Sequence, residues 1–193
     1  MLTVAIRSSS NPRSVVRTLC GFFIKNMPQK IINELHAMLL EDQLALKEFV
    51  SDKIEKSKLQ ERVAKQTSRI KKIFKDFGGA KKKTDDTEAY KAMFILILHS
   101  GDVELMEKYL TWHRQSDIKE IELTDQAFLT DKIRVLSNQP QVYGTQYKII
   151  DSEIVFLSIE DAQNVNRKRV LLGMGTLEEY KEGIQKLRNL SNK

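Results

Sequence analysis

The chain has one cysteine, Cys20, in 193 residues. A disulfide within the chain is therefore excluded, as is a metal cage built of several thiolates. The three histidines, His36, His99 and His113, show no metal-ligand spacing, so neither a metal nor a cofactor is expected. No stretch approaches the ~18 consecutive apolar residues that suggest a membrane-spanning helix, and no membrane span is expected. Motifs for common reactions are also missing. GGAKKKT contains Lys83-Thr84 but lacks both the glycine before the lysine and the preceding strand that a phosphate-cradling loop requires. GMGT at 173–176 lacks the third glycine of a dinucleotide fingerprint. Neither GxSxG nor HExxH occurs.

Acidic residues are absent from the first 33 positions, which carry five Lys/Arg. MLTVAIRSSSNPRSVVRTLCGFFIKN has the Arg- and Ser-rich, acid-poor composition of a mitochondrial presequence. The competing reading is a start placed too early, with Met27 opening the natural domain. Both readings put residues 1–26 outside the core as a basic N-terminal extension and leave 27–193 as a single α-rich domain. The expected location is cytoplasmic, or mitochondrial if residues 1–26 act as a presequence.

The formal net charge of +6 invites a nucleic-acid reading until the charges are located. Asp52–Lys83 carries twelve bases against four acids, and Thr84–Asp131 carries four bases against eleven acids. Such a chain is dipolar, not uniformly basic. Its aromatics do not interleave with the lysines, as a single-strand stacking platform would require. Nucleic acid is therefore an unlikely partner; a protein partner bound through the charged surfaces remains open.

Helical periodicity dominates from Pro28. Ile32, Leu35, Leu39, Leu46 and Phe49 share a face, predicting a helix over about 28–54. Val63, Ile70, Ile73 and Phe77 predict a second, with lysines and Arg69 outside and Gly78-Gly79 ending it. AYKAMFILIL reads as a helix buried almost all round. Gly101 and Asp102 break the chain and cap the next helix, 103 to about 113. Another runs from about Thr124 to Leu136, and Thr176–Glu179 has the capping-box spacing that starts a C-terminal helix. Between them, Tyr143–Ile150 alternates and Ile154–Ile159 is a short apolar run, which predicts a β-hairpin. The expected fold class is α+β, mainly α: a compact helical domain with a small C-terminal β-hairpin.

Asp42 lies at a position that the 3–4 spacing of the first helix assigns to its apolar face, with Gln43 beside it. A carboxylate there needs a cation or several donors, because an unpaired buried charge is costly. Either it lines a pocket or it forms a buried salt bridge, with Arg169 the preferred cation and Lys168 the next. His99 ends the most apolar helix. It reads either as a general base or as a cation meeting the last carbonyls of that helix. QPQVYGTQ, Gln139–Gln146, adds an uncharged group of hydrogen-bonding side chains, and Gly144 there permits a positive φ.

EDQ at Glu41–Gln43, QPQVYGTQ at Gln139–Gln146, and DAQNVNRKR followed by LGMGTLEEY within Asp161–Tyr180 resemble a mainly bacterial uncharacterised family, domain-of-unknown-function family 6624. The resemblance spans about Glu34 to Tyr180, and its YGTQ and NVxxxR parts are the specific ones. By position it implies Asp42, Gln43, His99, Tyr143, Gln146, Asn164 and Arg169 as matching residues. Leu98 stands where the family tends to have glutamine, Asn166 where it has aspartate, and Lys168 and Lys47 where it has arginine. Those departures put the strength of any shared activity in doubt.

Together these readings lead to one expectation. Asp42 and His99 would be catalytic, and Gln43, Tyr143, Thr145, Gln146, Asn164 and Arg169 would bind a small-molecule ligand. The chemistry would be that of a hydrolase or transferase. The alternative is a non-catalytic interaction protein whose polar cluster is structural.

Overall fold

The computed structural model describes residues 27–77, 87–115 and 123–191. The expected N-terminal extension, the Gly78-Gly79 helix stop and most of the linker after it lie outside the described residues. Among the described residues the architecture is seven helices and one two-stranded antiparallel hairpin, an α+β arrangement that is mainly α.

Helix α1, Gln29–Val50, buries Ile32, Leu35, Met38, Asp42 and Ala45. The buried stripe is rotated slightly from the expected one: Leu39 and Leu46 are half-buried and Phe49 is exposed. Asp42 stays on it. The helix stops four residues before the predicted end, where Ser51 N–H bonds back to Lys47 O and Asp52 takes a positive φ of 54°. Helix α2, Lys56–Phe77, returns antiparallel. Arg69 grips Glu34, Gln66 Nε2 donates to Met38 O at 3.1 Å, and Arg62 reaches Glu48 at 2.7 Å.

Helix α3, Thr87–His99, is buried almost all round, as its composition predicts. Its interior residues Ala89, Tyr90, Met93 and Ile97 join Leu35 and Ile70 in the core. Gly101, at φ 67°, reverses the chain. Asp102 Oδ1 then accepts Leu105 N–H at 2.9 Å and starts α4, Val103–Gln115. This satisfies one of the four orphan amides at that helix start. Helix α5, Leu123–Leu136, packs on α4 and touches α3.

The hairpin is shorter than predicted. Strands β1, Tyr147–Ile150, and β2, Glu153–Phe156, pair with Tyr147 opposite Phe156. Asp151 and Ser152 both hold positive φ, 48° and 66°, which a two-residue hairpin turn of the primed type demands. Tyr143–Gln146, expected as strand, is a loop whose amides bond to side chains instead of a neighbouring strand. The short helix α6, Val165–Val170, and α7, Leu177–Ser191, complete the chain. The expected capping box opens α7: Thr176 N–H donates to Glu179 Oε2 at 2.7 Å, and Glu179 N–H to Thr176 Oγ1 at 3.2 Å. Tyr180 seats α7, its ring meeting Phe128 of α5 at 6.2 Å and Phe156 of β2 at 6.0 Å.

Candidate functional site

Two polar groups emerge where the sequence predicts one. The first joins α1 to α3. Asp42 is 3% exposed, and its Oδ2 lies 2.7 Å from His99 Nδ1. Gln43 Nε2 donates to the same oxygen at 3.2 Å. His99 sits at the C-terminal end of α3, one third exposed, and among the described residues its Nε2 has no hydrogen-bond partner and is not sealed from solvent. The partner expected for Asp42 is therefore wrong: Asp42 and Arg169 form no ion pair. The reason is geometric. The 3–4 spacing that buries Asp42 turns it toward α3, the helix against which α1 packs most extensively. The fallback, Lys168, pairs with Asp161 at 3.4 Å.

The second group encloses the loop after α5, and its centre is a residue that the sequence reading missed. Asp131 is completely buried and accepts three backbone N–H groups. Val142 reaches Oδ1 at 2.7 Å, Thr145 reaches Oδ2 at 2.9 Å, and Tyr143 is shared at 3.1 and 3.2 Å. Gln141, also missed and also completely buried, works on the same loop. Its Nε2 donates to Gln146 O at 2.9 Å and Leu157 O at 2.8 Å, while its Oε1 accepts Gln146 N–H at 2.8 Å. A parallel bridge between Gln141 and Ile159 ties the start of the loop to the chain beyond β2.

Arg169 closes the loop from the opposite side. Nearly fully buried, it donates from Nε to Gly175 O at 2.6 Å and from Nη1 to Tyr143 O at 2.8 Å. Its guanidinium carbon stands 5.1 Å over the Tyr180 ring, a cation–π contact. No carboxylate among the described residues forms an ion pair with it. Burial pulls its pKa down, and the more distant charges of Asp131, Glu178 and Glu179 oppose that. Tyr180 OH in turn donates to Thr145 O at 3.3 Å, and burial pushes the phenol up to about 12. The backbone of Val142–Gln146 is thus held by a buried carboxylate through its N–H groups and by a buried guanidinium through a carbonyl.

The other predicted residues divide accordingly. Thr145 is buried and its hydroxyl accepts from Gln146 Nε2 at 3.0 Å. Tyr143 and Gln146 are half-buried. Asn164 is exposed, and its amide bonds Asp161 at 3.1 Å. Among the described residues no cluster of His, Cys, Asp or Glu could hold a metal ion, and no helix is long and apolar enough to cross a membrane.

A signal for Asp131 was present. It lies four residues after buried Ala127 and three after half-buried Phe128, so the same periodicity argument that isolates Asp42 applies to it. Gln141 carries no comparable pattern, because its burial follows from loop closure and not from a helix face.

The sequence model of a family described as "Family of unknown function (DUF6624)" matches residues 33–192. No curated protein matches the chain. No solved structure matches it either.

Proposed function

We propose, for a chain that belongs to the DUF6624 family of unknown function, that Asp42 and His99 form the acid–base dyad of a hydrolase or transferase acting on a small molecule. The observation that carries the reading is the 2.7 Å contact between a buried carboxylate and a histidine whose other nitrogen meets solvent. With the carboxylate ionised and the ring neutral, Nδ1 carries the proton and the Nε2 lone pair faces outward. When Nε2 takes a proton from a nucleophile, Asp42 stabilises the resulting imidazolium and keeps the ring in place. Gln43 holds the carboxylate through its second bond.

In this reading Arg169 and Thr145 are frame, because Arg169 bonds Gly175 O and Tyr143 O and the Thr145 hydroxyl accepts from Gln146 Nε2. Tyr143, Gln146 and Asn164 keep the exposure that a ligand contact needs. A rigid loop is what such contacts require, since a misplacement of about 1 Å can cost a hundredfold in rate.

The test is turnover of a panel of chromogenic carboxylic esters, phosphate esters and amides by the wild type, Asp42→Asn and His99→Gln. Positioned general-base catalysis contributes about 10²–10⁴-fold, and a loss of that size is expected in both variants with folding retained. The dyad reading fails if a substrate is found whose turnover survives His99→Gln. It fails equally if Asp42→Asn unfolds the protein while His99→Gln leaves every measurable activity and ligand-induced melting shift intact.

A further inference from the structure

Away from the dyad, α2 and α4 leave between them a cleft of about 350 Å³ lined by Lys71, Phe74, Lys75, Glu104, Leu105 and Lys108. That size falls within the range of small-molecule sites, about 300–1,000 Å³. Its floor is apolar. Leu105 is buried, and half-buried Phe74 leans on Tyr109 at 5.5 Å and on Trp112 at 5.9 Å. Its rim is cationic. Lys108 is tied to Glu104 at 2.6 Å and Lys71 to Asp102, while Lys75 has no ionic partner among the described residues. The Lys108–Glu104 pair is exposed on both sides and contributes little to stability, whereas Lys71 is exposed but holds a half-buried Asp102. Lys75 and Lys108 can therefore turn to an incoming anion at small cost, with Lys71 beside them.

We propose that this cleft binds an amphipathic anion, with its apolar body on Phe74 and Leu105 and its charged head among Lys71, Lys75 and Lys108. Charge complementarity selects the occupant. A neutral amphiphile would gain the floor but leave Lys75 unanswered, and a cation would meet three ammonium groups. Glu104 is the one lining group that opposes the head, so it sets an upper limit on affinity. The proposal is independent of the Asp42–His99 reading, which concerns other residues.

Trp112 is the only tryptophan, and its contact with Phe74 makes it a built-in reporter. The probe is 8-anilinonaphthalene-1-sulfonate, an amphipathic anion whose bound form accepts energy from tryptophan. Saturable one-to-one binding with quenching of Trp112 is expected, displaced by decanoate and not by decanol. The exposed double substitution Lys71→Glu with Lys75→Glu should weaken the dye at least tenfold, and Glu104→Gln should tighten it two- to threefold. The proposal is overturned if binding is absent or unsaturable, if decanol competes as well as decanoate, or if the charge reversals leave the affinity unchanged.

Discussion

Replacing Asp131 by asparagine changes one atom's hydrogen-bonding character, and the arrangement around it fixes the consequence. The asparagine oxygen can retain Val142 N–H and Tyr143 N–H, which lie at 2.7 and 3.1 Å from Oδ1. Its amide nitrogen then replaces Oδ2 and confronts Thr145 N–H at the present 2.9 Å, donor against donor. Thr145 is 2% exposed, so water cannot step in. Losing one charge-assisted bond and orphaning one buried amide should cost about 2–4 kcal/mol. The alternative rotamer is no better, because it would orphan Val142 instead. Urea unfolding followed by circular dichroism reads this directly. With a slope of about 2 kcal/mol per molar urea, the midpoint should fall by about 1–2 M at unchanged slope. A cost below about 1 kcal/mol would mean that the carboxylate does not hold the loop and would refute the account of it given above.

Three further outcomes are expected. Gly144→Ala should cost about 1–3 kcal/mol, because Gly144 has a φ of 69° and an added Cβ would sit 2.5 Å from Leu177 Cδ2; an unchanged melting temperature would contradict it. The Tyr180 phenol is raised from 10 to about 12 in the folded state. The folded state thus favours its protonated form, and this stabilising contribution is complete below pH 10 and lost as pH rises through about 12. Phenolate absorbance should accordingly show a late step that loses amplitude in Tyr180→Phe, buried Tyr109 also titrating late, and an unaltered titration curve would count against it. Finally, Met27 is a buried member of the core, so a chain starting there should still melt cooperatively; gradual, non-cooperative melting would reject the assignment of residues 1–26 as dispensable.

The helices were legible because burial repeats with the helix period. Ile70, Ile73 and Phe77 on α2, and the continuous apolar run of α3, announce both the element and its inward face. The caps at Asp102 and Thr176 were legible for a related reason, since their partners are three residues away in sequence. The hairpin was placed correctly but drawn too long. Alternation in Tyr143–Gln146 looks like a strand, yet the amides there are taken by Asp131 and Gln141, which lie up to fourteen residues away. Asp42 was recognised as needing a partner, and the partner was misjudged: a chain pattern tells which face of a helix is buried, not which element will cover it. His99 is itself legible as a candidate at the end of its apolar helix, 57 residues from the carboxylate it meets.

The ties on Val142–Gln146 also bear on how the C-terminal part of the chain comes apart. Asp131 belongs to α5, Gln141 reaches across to the strand exit at Leu157, Arg169 to α6, and Tyr180 to α7. Each anchors the same five residues, so no one of these elements can detach without stripping partners from the others. Opening should therefore be collective. In native-state hydrogen exchange the amides of Val142, Tyr143, Thr145 and Leu157 should share one opening free energy, behaving as a single cooperative unit. The α1–α2 pair hangs on other ties, Asp42 to His99 of α3 and Lys71 to Asp102 at the start of α4, so its opening follows the helical core and not this loop.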